Sequence, residues 1–210
     1  MTENIAVLTH SSIRIKDADR TIYIDPFKVE NEPKDADFIL VTHDHFDHFS
    51  PEDIAKVAKA DSILVAPEKM AKKAQEAANL VGEIEIVRPN EKYEIAGLKF
   101  ETVPAYNTLK PFHPKKAGWV GYILEVDAKR VYIAGDTDAT KEAEAVDCDI
   151  AMIPIGGTYT MDPKKAARLI NAMKPAVAIP THYGNIVGKP EDGEAFAKLV
   201  EAPVEVELKI

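Results

Sequence analysis

The sequence predicts an α+β chain in which two mixed sheets pack face to face and are covered outside by helices. Short strand-like runs alternate with helical stretches from end to end, and no linker rich in glycine, serine or proline separates two halves. A faint echo relates the halves: Leu40-Val41-Thr42-His43 and Ile179-Pro180-Thr181-His182 are both apolar strands ending in Thr-His. At 210 residues, with 46% hydrophobic and 29% charged, the chain can bury a core as a single domain spanning residues 1–210.

The first strands are expected at Ile5 to Leu8, Ile13 to Ile15 and Arg20 to Asp25, and Asp37 to Thr42 reads as a buried strand. A helix follows from Pro51, because Ser50 can cap it, proline suits its first turn, and Glu52 and Asp53 favour the positive helix end. Ser62 to Ala66 is a strand, and Pro67 to Asn79 a helix with Met70, Ala74 and Ala77 on one face. Glu83 to Val87, Lys92 to Ile95, Leu98 to Val103, Val120 to Val126 and Arg130 to Ala134 are expected to build a largely antiparallel sheet. The stretch from Pro104 to Ala117 has several prolines and no periodicity, so it reads as a long functional loop. Beyond it, helices are expected near Lys141 to Ala145, Pro163 to Met173 and Gly193 to Val200. The remaining strands are Ile150 to Ile155, Val177 to Pro180 and Val204 to Leu208.

A formal net charge of −9 argues against a general nucleic-acid surface, which needs a lysine and arginine stripe to displace counterions. Any anionic substrate must therefore be drawn by a local field; Lys110, Lys115 and Lys116 form one small basic cluster, or else a solvated loop. The single cysteine, Cys148, excludes an intrachain disulfide framework and a thiolate-rich metal site, so it reads as structural. No apolar run has the length of a membrane span, and Met1 to Leu8 lacks the layout of a secretory signal, so a cytoplasmic, membrane-free protein is expected.

Three of the six histidines fall within Thr42-His43-Asp44-His45-Phe46-Asp47-His48, just past an apolar strand. Imidazoles and carboxylates on a sharp turn at a strand end can converge on one or two small cations, whereas the bland alternative is a solvated polar loop.

Thr-His-x-His-x-Asp-His resembles the signature of the metallo-β-lactamase superfamily, and further matches fall in the family order: Asp25 in Tyr-Ile-Asp-Pro, Asp136 in Gly-Asp-Thr, and His182 in Ile-Pro-Thr-His-Tyr-Gly. The resemblance covers nearly the whole chain and implies a four-layer αβ/βα sandwich. Gly156-Gly157-Thr158-Tyr159-Thr160-Met161 and Pro104-Ala105-Tyr106-Asn107 are similar to segments of the small, stand-alone members that resemble L-ascorbate-6-phosphate lactonases. As implied by the family, His43 and His45 hold a first divalent metal, Asp47, His48 and His182 a second, and Asp136 bridges both; zinc is expected, with manganese or iron as alternatives. The family's remaining histidine has no counterpart directly after Leu98 to Val103. Either Asn107 replaces it or His113 reaches back, and His113 is favoured because imidazole binds zinc-like ions better than an amide. Asp25, His10, Tyr106, Asn107, Tyr159 and Tyr183 are candidates for binding substrate or supporting the ligands. His10 and the three tyrosines also fit a purely structural place.

The resemblance implies a hydrolase in which hydroxide bound by two metals attacks an ester-type bond (lactone, phosphodiester or thioester) of a small-molecule, possibly anionic, substrate, with Asp47 and Asp136 as catalytic carboxylates. Rival readings are a di-iron redox or oxygen-binding module and a silent binding protein. Di-iron members typically carry glutamate where this chain has His45, which favours hydrolysis.

Overall fold

The computed structural model describes residues 2–18 and 20–210, so Met1 of the segment read for a signal lies outside it. The chain divides into two units, Met1–Arg88 and Pro89–Ile210.

The first unit is a six-stranded sheet whose spatial order follows the chain: β1 (Ile5–Thr9), β2 (Ser12–Asp17), β3 (Arg20–Ile24), β4 (Ala36–Leu40), β5 (Ala58–Pro67) and β6 (Glu83–Val87). The first three strands pair antiparallel, and β3 to β6 pair parallel. Parallel neighbours need a crossover, and helix α1 (Pro51–Val57) supplies the one from β4 to β5. Ser50 caps α1 as expected, accepting from the Asp53 amide, while the Asp53 carboxylate accepts from the amides of Lys28 and Val29, both at 2.9 Å. The core of this unit gathers Tyr23, Ile39, Leu64 and Ala66 with Ile54 and Val57 of α1.

Two expectations need correction here. Glu83 to Val87 does not join the antiparallel sheet: it pairs parallel with β5, from Ile63↔Glu83 to Pro67↔Val87. The segment after β5 is long enough to bring the chain back in the same direction, and apolar alternation alone does not show which edge a strand takes. That segment is also not one helix from Pro67 to Asn79; a short α-helix, α2 (Ala71–Ala74), sits between 3-10 turns at Glu68–Met70 and Gln75–Ala77. Met70, Ala74 and Ala77 still face inward, so the apolar stripe survives while the hydrogen-bond ladder tightens.

The second unit is a seven-stranded sheet. β7 (Lys92–Ile95), β8 (Leu98–Pro104), β9 (Val120–Val126) and β10 (Lys129–Ile133) form an antiparallel meander. β11 (Ile150–Pro154), β12 (Val177–Thr181) and β13 (Glu205–Val206) continue it in parallel from β10. β11 and β12 are buried throughout, as central parallel strands must be. α3 (Lys141–Glu144), α4 (Pro163–Met173) and α5 (Asp192–Ala197) serve the parallel part. Asp162 caps α4 by accepting from Lys165 N at 2.8 Å, Pro163 occupies its first turn, and Ala166, Ala167, Leu169 and Ile170 enter the core. The long loop from Pro104 to Ala117 is irregular apart from a 3-10 turn at Lys115–Ala117. Among the described residues no helix is long and apolar enough to cross a membrane.

Candidate metal centre

In the first unit the histidine turn leaves the carboxyl end of β4, next to the end of β3, where Asp25 lies. Asp25 is fully enclosed and receives Thr42 N at 2.8 Å, Thr42 Oγ1 at 2.6 Å and His48 Nδ1 at 2.7 Å. Burial raises its carboxyl above the usual carboxylate range, opposed by His48 and the two bonds from Thr42. The Thr42 hydroxyl spends its one proton on Asp25, so at His43 Nδ1, 3.0 Å away, it can only accept. His43 and His48 therefore both carry a ring proton on Nδ1 and turn Nε2 the other way, His43 towards His45 Nδ1 and His48 towards Asp47.

His43 Nε2 lies 3.1 Å from His45 Nδ1, and the His43 and His48 rings are 3.9 Å apart. Asp25, His43 and His48 offer ligand-type atoms within 4.8 Å of one another. Asp47 Oδ2 is 3.2 Å from His10 Nε2 and 3.7 Å from His48 Nε2. His10 is thus a buried partner of Asp47, one of the two roles open to it from sequence. His10 and Asp25 adopt φ of +51° and +46°, a left-handed conformation uncommon outside glycine that collects at functional sites. From α2, Lys73 Nζ donates to the Asp44 carbonyl and steadies the turn.

In the second unit Asp136 follows β10 and His182 follows β12. Asp136 Oδ2 stands 3.2 Å from His113 Nε2 and 3.1 Å from His182 Nε2, and all three residues are buried. His182 also has positive φ, +58°. Gly156 lets it fit, since a Cβ there would stand 2.2 Å from the His182 carbonyl oxygen.

The other candidates fall in place around His113. Asn107 bonds to it by main chain and side chain and donates to the Tyr159 carbonyl at 3.0 Å. Tyr106 donates its hydroxyl to Glu142 Oε2 at 2.8 Å. Tyr159 is exposed and stacks its edge with Phe112 at 4.7 Å, whereas Tyr183 is packed into the core of this unit. The lysines are engaged: Lys110 with Asp138 at 3.1 Å and the Thr160 carbonyl, Lys115 with Glu142 at 2.7 Å, while Lys116 is exposed.

Sequence reasoning missed Thr42, Asp138 and Glu142. Thr42 had a signal, since a threonine precedes the histidine in both Thr-His pairs. The acids had none, because their partners lie about thirty residues away in the chain.

These arrangements suit a metal. A buried carboxylate oxygen close to two imidazole nitrogens, and two ring nitrogens at 3.1 Å, are assemblies of acceptors that a proton or a cation must join. The donors are nitrogen and oxygen, appropriate to zinc, manganese or iron. The family model of the β-lactamase superfamily domain matches residues 4–182, across both units. The chain belongs to this superfamily. Among its superfamily relatives, a UPF0173 metal-dependent hydrolase of Thermococcus onnurineus is 34% identical, over 96% of this chain and 94% of the relative. The crystal structure of a protein described as a metal-dependent hydrolase from Parabacteroides distasonis matches with a TM-score of 0.82 at 31% identity, over 97% of this chain and 91% of that one. The di-iron β-hydroxylase CmlA of Streptomyces venezuelae shares the fold at a TM-score of 0.75 and 13% identity, over 98% of this chain and 52% of that chain. A superfamily fold that serves an oxidative enzyme does not by itself choose the reaction.

Proposed function

We propose that this chain is a metal-dependent hydrolase that cleaves an ester-type bond, in a lactone, phosphodiester or thioester. The observation that carries the reading is the commitment of His43 and His48 through Nδ1 to Thr42 and Asp25, which turns His43 Nε2 towards His45 Nδ1 at 3.1 Å and His48 Nε2 towards Asp47 Oδ2 at 3.7 Å, a set of nitrogen and oxygen donors of the kind a divalent cation takes. Two divalent ions held by His43, His45, Asp47, His48, His113, Asp136 and His182, with zinc the first expectation, would supply a water of lowered pKa and a Lewis acid for the scissile carbonyl or phosphoryl oxygen.

The chain's own residues divide the remaining work. Asp25 and Thr42 fix the imidazole tautomers. Asp47, whose Oδ2 lies 3.2 Å from His10 Nε2, is the carboxylate that would orient the attacking water and accept its proton. Asp136 gathers His113 and His182 about a single oxygen. No serine or cysteine nucleophile is required, and Cys148 is unsuited to the task, since burial pushes its thiol up to about 12.

Elemental analysis of the freshly purified protein, followed by lactone, phosphodiester and thioester panels, tests this reading. Two ions per chain are expected, and the double variant His45→Ala, His182→Ala should lose tight binding. Wild-type metal content in that variant would remove these residues from the site.

A further inference from the structure

The loop after β8 closes on itself at one point. Asn107 N donates to the His113 carbonyl at 2.7 Å, and Asn107 Oδ1 accepts from His113 N at 3.1 Å while facing His113 Nδ1 at 2.9 Å. The other end of the amide fixes its orientation: Asn107 Nδ2 lies 3.0 Å from the Tyr159 carbonyl, which only accepts, so the oxygen end must face the histidine. An amide oxygen also only accepts, so His113 Nδ1 carries the ring proton. Nε2 then lies on the far side of the ring, 3.2 Å from Asp136 Oδ2, where a cation or, without one, a proton joins the two atoms. Both residues are buried, with Asn107 6% and His113 1% exposed, so water does not compete for these bonds.

We propose that Asn107 is a positioning residue, not a ligand, and that it locks His113 into the Nδ1–H tautomer whose Nε2 binds metal. The proposal rests on the reading of His113 as a ligand. Both acceptor directions of the Asn107 oxygen are already used by His113, which leaves none for a cation. The Trp119 ring, edge-on to His113 at 5.6 Å, limits rotation of the imidazole that Asn107 has set. Pro111 and Pro114 stiffen the backbone on either side. The arrangement matches a general requirement of metal sites, that the ring nitrogen away from the metal be held by an acceptor.

Long-range proton–nitrogen spectra of full-length protein with ring-15N histidine read the tautomer directly. They are recorded metal-loaded and after chelation, on the alkaline side of the imidazole range, with His113 assigned from its absence in His113→Ala. The wild type should show Nδ1 protonated both metal-loaded and after chelation. Asn107→Ala should give mixed tautomers and bind zinc about 10–100-fold more weakly in chelator competition. Asn107→Asp keeps an acceptor towards His113 and should recover the tautomer and most of the affinity, which a purely structural role would not restore. A bare Nδ1 in the wild type, or an Asn107→Ala protein with the wild-type Nδ1 proton and affinity, overturns the proposal. Should Asn107→Ala not fold, the wild-type spectrum and Asn107→Asp decide. Wild-type zinc affinity in His113→Ala would instead defeat the ligand reading, while the tautomer is still judged from the spectra.

Discussion

The two units carry their imidazoles by opposite means. In the first, three histidines and Asp47 come from one turn of a few residues, and their restraints are equally close: Thr42 within the turn and Asp25 at the end of the neighbouring parallel strand. In the second, His113, Asp136 and His182 come from three distant segments, each placed by a device of its own: the Asn107 amide, the end of β10, and the space left by Gly156. A dense local set needs few supports, but each support serves several ligands. A dispersed set needs many, and each serves one. Damage to a support should therefore spread in the first unit and stay local in the second.

The largest effect is expected from Asp25→Ala. Thr42 N, Thr42 Oγ1 and His48 Nδ1 would lose their common acceptor inside a buried site, which we expect to cost about 3–5 kcal/mol. Denaturant unfolding measures that cost, and elemental analysis should show metal loss as His43 and His48 become free to turn. A variant of near-normal stability and metal content would show that the histidine turn holds itself and that Asp25 is not its hub.

Gly156→Ala should have an intermediate effect. Its Cβ would stand 2.2 Å from the His182 carbonyl and 2.5 Å from Val187, and the backbone oxygen cannot yield without carrying His182 along. An overpacking cost of about 1–3 kcal/mol is expected. Metal retention should fall while the ring spectra of His43 and His48 stay as in the wild type. A change in the first unit's histidines comparable to that in His182 would mean that the two units do not hold their ligands independently.

The same contrast explains what the sequence made legible. The histidine turn stands out because its ligands are neighbours in the chain, and Asp25, Asp136 and His182 are visible because each ends an apolar strand. Between Asn107 and His113 donor chemistry alone favours His113; the bonds that join the two were not visible, because a loop without periodicity folds by contacts to Tyr159 and Trp119 that no local pattern announces. Lys110, Lys115 and Lys116 read either as a basic cluster or as a solvated loop, and Lys110 and Lys115 are each taken up by an acid whose nearness depends on how the chain after β10 returns to the loop. At the fold level most strands were legible from apolar runs. The edge taken by β6 was not, since its alternation suits either sheet.

The smallest effect concerns that loop's outer fastening. Glu142 accepts from Lys115 Nζ at 2.7 Å and from Tyr106 OH at 2.8 Å, and Lys115 Nζ also sits 4.6 Å from the centre of the Tyr106 ring. Lys115 first, and then Tyr106, hold the Glu142 carboxyl down from 4.5 to about 2. A carboxyl lowered on folding contributes stability above its ordinary range and loses it as the pH falls through the folded value. The fastening should thus be complete at neutral pH and weaken between about 4.5 and 2. Lys115 is 61% exposed, so solvent screens the pair and the unfolding midpoint should hardly move. The local readout is amide exchange of Tyr106 to Lys116, where Glu142→Gln should raise exchange at neutral pH and remove the acid dependence expected of the wild type. His113 should keep its tautomer in that variant, since Asn107 and not Glu142 holds the ring. Loss of the tautomer in Glu142→Gln would mean that the second unit shares its supports after all, and that its ligands are less independently placed than those bonds indicate.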